Sequence, residues 1–273
     1  MAKARLGGLL IAALGAAVAI SIKELNVGGI VAFVAFVAAL IAELYGALVR
    51  PEKTWYEGRA AAESTKTLAW RYAVRGESFE SGLQHDVDRA FLRSLTDILR
   101  DLGDLNVTVG SDTGEQITRK MREARLLSFE ERRALYLESR ILDQQTWYSN
   151  KSGWNERRAH AWLLAGIAFE GVGVLGAALI AFFDFDVDLL GIAAAGAATA
   201  AAWVQTKQYQ NLATAYGVTA QELSSVASEV SVMKDEESWA RLVGESEEAI
   251  SREHTLWRAS RGLGLKPHPE KDL

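Results

Sequence analysis

Cysteine is absent from this 273-residue chain, so no disulfide framework and no thiolate metal site is available to it. Proline stands only at 51, 267 and 269, and nothing of that kind interrupts a helix between residues 52 and 266. β-like runs are scarce, Leu105–Val109 being the only short one. His85, His160, His254 and His268 are scattered without ligand spacing, and only His160 borders an apolar run. No Ser/His/Asp set, nucleotide-cradling loop or carboxylate dyad stands out, so no catalysis, cofactor or metal is expected. The net charge of −5 and the lack of a concentrated basic and aromatic face argue against nucleic acid as a partner. The class these absences leave is all-α.

What the chain has is long apolar runs. Mean hydropathy is near zero at +0.01, but this averages very apolar blocks with very charged ones. Ala161–Phe183 is 23 residues long with a single charge, Glu170, and Leu189–Val204 is 16 residues without any. At about 1.5 Å rise per residue the first crosses a hydrocarbon core of about 30 Å with some tilt. The second spans where the bilayer thins or flanking residues reach outward. Asp184–Asp188 between them is too short for a domain, so the two runs form an antiparallel hairpin. Residues 1–50 repeat the plan. Leu6–Ile22 carries no charge, Lys23–Val27 turns the chain, and Gly28–Val49 holds one charge, Glu43. A cleaved leader with Ala17-Val18-Ala19 as its site fits less well, because a second span follows within a few residues.

Lys3, Arg5, Arg50, Lys53, Arg157, Arg158 and Lys207 collect at one side of these runs. The other side has Lys23, Glu24 and the acidic turn. The positive-inside rule places both termini and the segments between the hairpins in the cytoplasm. The expected architecture is therefore two transmembrane hairpins, four spans in all, with a cytoplasmic bundle of long helices. Its parts are a first hairpin (1–50), a cytoplasmic segment (51–160), a second hairpin (161–207), C-terminal helices (208–261) and a tail (262–273). The lipid bilayer is the implied partner.

The charged segments read as helices. Tyr56, Ala60, Thr67, Trp70 and Val74 form one stripe, and Val87, Phe91, Leu95, Ile98 and Leu102 another. Asn106–Gly114 is a loop by its Gly and Asp content. Ser128 with Glu131 is a capping box opening a helix without a breaker before Ser152-Gly153, expected to run on into the second hairpin. Arg59, Glu63, Lys66 and Arg71 are expected to hold helices by charge pairs of i,i+4 type. Trp70, Trp147 and Tyr148 are expected to fill the core. Tyr209, Leu212, Tyr216, Thr219, Leu223, Val226, Val230 and Met233 alternate steps of three and four, a seam continued by Val243, Ile250 and Trp257. It packs on the chain's own helices, pairs with another subunit, or does both.

Gly171-x-Gly173-x-x-Gly176 matches the dinucleotide fingerprint but lies inside an apolar run with no β-α alternation, so it reads as a packing surface. Gly173, Ala177 and Ala181, and Ala194, Ala198 and Ala202, line up at four-residue steps, as do Ala38, Ala42 and Gly46. Small residues so spaced let helices approach closely, within a hairpin or between subunits. Glu43 and Glu170 lie about 10 and 12 Å inside the same face. Intramembrane carboxylates usually face a bundle interior or water, so the pair either lines a cation pathway or stays near the interface, locally hydrogen-bonded.

Trp55-Tyr56-x-x-Arg59-x-x-Ala62-Glu63-Ser64-x-Lys66-x-x-Ala69-Trp70-Arg71-Tyr72 resembles the stretch that follows the hairpin in SLATT proteins, the SMODS- and SLOG-associating two-transmembrane effector domains. Arg140-x-x-Asp143-Gln144-Gln145-x-Trp147-Tyr148 and Trp154-Asn155-x-Arg157-Arg158 resemble the approach to that family's hairpin. Ala201–Tyr209 and Ala215–Leu223, with Tyr209 and Tyr216, resemble the exit, and Glu253-His254-x-x-Trp257 the closing helix. The likeness covers about residues 50–260 and looks like two units in tandem. It implies a bacterial conflict-system effector of the inner membrane, a homo-oligomer that forms a pore or perturbs the bilayer. Its trigger would be a nucleotide-signal sensor or generator encoded separately. A membrane-anchored scaffold recruiting a partner through its helices, or a small cation transporter, stands as the alternative.

Overall fold

The computed structural model describes residues 7, 8, 11, 21, 22, 25–49, 51–101, 114–183 and 189–260. They form α1 (Val27–Val49), α2 (Pro51–Ala73), α3 (Gln84–Asp101), α4 (Arg119–Leu126) and α5 (Phe129–Tyr136). A π-helical turn (Leu137–Leu142) follows, then α6 (Asp143–Phe183), α7 (Leu189–Lys207), α8 (Tyr209–Val232) and α9 (Glu236–Ser260). The only β structure among the described residues is a ladder of two-residue strands, Ser21–Ile22 and Leu25–Asn26, pairing Ser21 with Asn26 and Ile22 with Leu25. Ser21 and Ile22, the last residues of the apolar run that begins at Leu6, are therefore strand and not helix. Leu105–Val109, most of the Asn106–Gly114 loop, the 184–188 turn and the 262–273 tail lie outside the described residues.

The chain divides into two compact units, one of Met1–Pro51 with Ser149–Gly217, the other of Glu52–Tyr148 with Val218–Leu273. We call them the hairpin unit and the body unit.

The body unit is built on local signals that agree with its packing. Val87, Phe91 and Leu95 of α3 are buried, as their spacing predicts, and pack with Leu68, Tyr72, Phe79 and Ile117. The Tyr72 and Phe91 rings stand 5.0 Å apart, tilted. Ser128 caps α5 as expected. Its backbone N–H donates to Glu131 Oε2 at 2.9 Å and its hydroxyl accepts from the Glu131 N–H at 3.4 Å. Beyond α5 the helix runs through the π turn into α6 with no break at Ser152-Gly153, 55 residues in all. Trp239 of α9 is fully buried, lies edge-on to Tyr136 at 5.6 Å, and donates its indole N–H to the Val74 carbonyl at 2.8 Å.

Buried charge organises the centre of this unit. Arg140, on the π turn, and Glu247, on α9, are both 0% exposed. Arg140 Nε donates to Glu247 Oε1 at 2.8 Å and Nη2 to Oε2 at 2.7 Å, the two-pronged geometry that a guanidinium and a carboxylate favour. Tyr136 donates its hydroxyl to Glu247 Oε1 at 3.0 Å, and Glu63 of α2 accepts from Arg140 Nη2 at 3.4 Å. Burial, reinforced by the Glu247 charge, pushes the Tyr136 phenol well above its usual range. Burial works against the charged Arg140, but the hydrogen bonds and charge of Glu247 outweigh it. Three more arginines tie loops down. Arg125 donates to the carbonyls of Tyr72 and Phe79, Arg132 to that of Leu127 while pairing with Glu236, and Arg133 to that of Met233.

A second network lies at the start of α3. Asp88 accepts from the Tyr72 hydroxyl at 2.6 Å, from Gln84 at 2.6 Å and from Arg122 at 2.7 Å. Burial raises the Asp88 pKa, but these donors and the Arg122 charge outweigh it and hold the carboxyl below its usual range. Burial and the hydrogen bond to Asp88 push the Tyr72 phenol up to about 12.

In the hairpin unit, small residues let helices meet. Ala193, Gly196, Ala200 and Trp203 are the buried positions of α7, and Gly28, Ala32, Ala35 and Ala39 those of α1. A Cβ at Gly196 would collide with the Phe169 ring of α6, and one at Gly176 would sit 2.9 Å from the Leu189 Cβ. Gly171-x-Gly173-x-x-Gly176 lies in mid-helix, where Gly173 faces the Ala193 Cβ, as a packing surface should. Ser152 of α6 donates to the Ala213 carbonyl of α8 at 2.8 Å. Of the eight seam residues from Tyr209 to Met233, Tyr209, Leu223 and Val230 are buried and the other five half-buried.

Three outcomes are expected for the purified protein in detergent. Glu247→Ala strands the Arg140 charge in the core and lowers unfolding stability by about 3–5 kcal/mol, whereas Arg140→Met with Glu247→Leu recovers most of it; chemical denaturation measures both. Because the folded-state pKa of Asp88 is depressed, its contribution is present above the unfolded value of about 4 and is lost as pH falls through the folded one. Asp88→Asn should therefore flatten the fall in melting temperature below about pH 4. Gly196→Leu overpacks the contact with Phe169 and costs about 1–3 kcal/mol, seen as faster proteolysis within 161–207.

Candidate membrane-embedded site

The hairpin unit exposes far more apolar surface than water tolerates. Phe33, Leu48, Leu164, Val174 and Phe182 are 69, 83, 65, 71 and 80% exposed. Only 6% of the most apolar window in the helix ending at Phe183 is buried. A contiguous surface of this kind needs an apolar solvent, and the helices are long enough to find one in a bilayer. Among the described residues three helices qualify by length and composition: Val27–Val49, Phe129–Phe183 and Leu189–Val232. The first of the four expected spans falls mostly outside the described residues. Gly7, Gly8 and Ile11 are helical there, and Gly8 lies against Ala35 and Ala39 of α1.

Glu43 and Glu170 both lie on exposed faces of apolar helices. A carboxylate facing lipid is costly, so the Glu170 position calls for water, a polar headgroup or another protein surface. The small residues divide by face. Gly173 is half-buried within the hairpin, while Ala177, Ala181, Ala194 and Ala198 point outward. The row that packs inside α7 is 193, 196, 200 and 203, distinct from the four-step row 194, 198 and 202. In α1 the buried row likewise runs 28, 32, 35 and 39 and leaves Ala38 exposed.

The family-motif residues scatter over both units. In the body unit, Glu63 binds Arg140, a partner 77 positions away in place of the local i,i+4 pair expected of it. Arg71 donates to the Glu77 carbonyl at 3.0 Å, closing the turn after α2, again not an i,i+4 partner. Arg59 is half-buried and Lys66 exposed. Trp70 and Trp147 are half-buried, edge-on to Tyr136 and Tyr148, and Tyr148 is buried. In the hairpin unit, Arg158 lies over the Trp154 ring, 5.2 Å from its centroid. Tyr209 is buried edge-on to the same ring at 6.1 Å, and Tyr216 is half-buried. His160 is exposed, and no group of His, Asp and Glu suited to a metal forms among the described residues.

Local spacing assigns no role to Glu247, Arg125 or Arg132. One signal was present. Arg132, Tyr136 and Arg140 recur at steps of four on an otherwise core-facing stripe, and two cations on such a stripe demand buried partners.

Residues 1–133 match the model of SMODS and SLOG-associating 2TM effector domain 3, and residues 136–257 that of SMODS and SLOG-associating 2TM effector domain 1. No curated protein and no solved structure matches the chain. The boundary falls inside the continuous helix that begins at Phe129, and each matched segment supplies residues to both compact units. Apolar helices without water-compatible faces and two adjoining matches, together covering nearly the whole chain, lead to one conclusion: the chain is a membrane protein of the SLATT family, a tandem of two SLATT effector domains.

Proposed function

We propose that the chain is a four-span effector of a bacterial conflict system, seated in the inner membrane with both termini in the cytoplasm. It acts by oligomerising into a pore or by disrupting the bilayer, after a trigger from a separately encoded nucleotide-signal sensor or generator. The SLATT family supplies the effector class. The observation that carries the pore is Glu170, a single charge exposed on an otherwise apolar span. A second copy of the chain, packed on the outward row of Ala177, Ala181, Ala194 and Ala198, would take that face out of lipid and leave the carboxylates around water. One hairpin pair encloses too little space for a conducting path, so the reading requires an oligomer.

The alternatives draw less support from the geometry. A scaffold that recruits a partner through the tail seam needs that seam free, and three of its eight residues, Tyr209, Leu223 and Val230, are buried. A transporter usually breaks its helices at midplane charges, whereas α6 runs unbroken through Glu170.

Induced expression, followed with a potential-sensitive dye, should collapse the membrane potential. Glu43→Gln combined with Glu170→Gln should keep the protein in the membrane and shift the cation-to-anion permeability ratio toward unity in planar bilayers. Normal potential and growth at high expression in the presence of a triggering phage would contradict the reading.

A further inference from the structure

We infer that the hairpin unit holds a site for the headgroup of an anionic phospholipid, with Arg158 and Lys207 gripping the phosphate. The inference rests on the membrane reading above and adds a specific lipid partner to it.

An open pocket of about 630 Å³ lies beside the Trp154–Trp162 stretch within α6 and the Lys207 end of α7, lined by Trp154, Asn155, Arg158, Trp162, Trp203 and Lys207. Gln208 has φ of 50°, in the left-handed region, which ends α7 and starts α8 so that Lys207 and Tyr209 both border the pocket. The two cations rest on indoles, Arg158 over Trp154 at 5.2 Å and Lys207 over Trp203 at 5.0 Å. Among the described residues neither cation has a carboxylate within ion-pair distance, and no acidic residue lines the pocket. Trp203 is 9% exposed, and its indole N–H is buried without an acceptor among the described residues. Asn155 is also buried, its amide given to the Lys151 carbonyl at 2.8 Å.

Two cations without carboxylate partners describe an anion site, and aromatic walls describe one that sits at a membrane surface. Phosphate chemistry fits from either of two sources, a lipid or a soluble phosphate ester. The adjoining surface decides between them. One turn further along α6, Leu163, Leu164 and Ile167 are 59, 65 and 53% exposed. Acyl chains cover that surface when the headgroup sits on Arg158 and Lys207, and a free anion leaves it bare.

The test uses the full chain in phosphatidylcholine nanodiscs doped with phosphatidylglycerol, with retained lipid counted by native mass spectrometry after mild detergent release. R158Q and K207Q should each weaken phosphatidylglycerol retention about fivefold, and K207R should keep it. R157Q removes the same charge from an exposed neighbour that does not line the pocket, and should retain the lipid as the wild type does. Equal losses in R157Q and R158Q would overturn the site in favour of diffuse attraction. Soluble glycerol phosphate displacing the lipid as effectively as phosphatidylglycerol itself would overturn the lipid assignment. Vesicle flotation separates the two levels of failure. A chain that does not float refutes the membrane reading itself, whereas one that floats without preferring phosphatidylglycerol refutes only the headgroup site.

Discussion

The body unit depends on one arrangement, a guanidinium and a carboxylate buried together with no access to water. Arg140 and Glu247 neutralise each other through two hydrogen bonds, and the Tyr136 hydroxyl and Glu63 occupy remaining valences. Burying two charges costs several kcal/mol for each ion, which excellent geometry offsets and which a single missing partner exposes in full. The arrangement therefore fixes register more than it adds stability. Only one alignment of α9 against the helix that carries Arg140 brings the two together. The π turn serves the same end. It carries the neighbours Arg140 and Ile141, both at 0% exposure.

The same contact ties the family repeats together. Arg140 and Glu247 belong to the second matched segment and Glu63 to the first. Trp239, from the second segment, donates to the Val74 carbonyl of the first, and the Glu77 N–H donates to the Ala240 carbonyl at 2.8 Å. Gly244 lies so close to the Glu77 side chain that a Cβ there would have no room. The tandem is thus not two separate bodies. Hairpin residues of both segments form one compact unit, and charged helices of both form the other. A tandem built this way shares one polar core between its halves.

Periodic apolar patterns were the legible part of the chain. The α3 stripe, the tail seam, the Ser128 cap and the uninterrupted run into the second hairpin follow from spacing alone, because each depends on residues within a few turns. Less legible were features set by partners distant in sequence. Glu63 was expected to pair within its helix, but its partner lies 77 residues on, and local spacing carries no trace of that. Small-residue rows gave a similar result. Rows at four-residue steps were visible, but the inner face of α7 follows a mixed step of three and four through Gly196, because the bulky Phe169 ring needs the one position without a Cβ. Arg158 and Tyr209 stood out as motif positions. Their shared neighbour Trp154 shows why they matter together, and the left-handed turn at Gln208 that helps assemble them has no Gly or Asn to announce it.

The central claim is that both hairpins cross the bilayer and turn on the same, outer side. The absence of cysteine makes a direct measurement clean, since any thiol introduced is the only one present. Single substitutions Lys23→Cys and Asp186→Cys at the two turns, and Lys66→Cys on the exposed face of α2, would be probed in intact spheroplasts with a membrane-impermeant maleimide. The account predicts labelling of the two turn positions from outside and of Lys66→Cys only after lysis. Labelling of Lys66→Cys in intact spheroplasts, or protection of either turn, would contradict it.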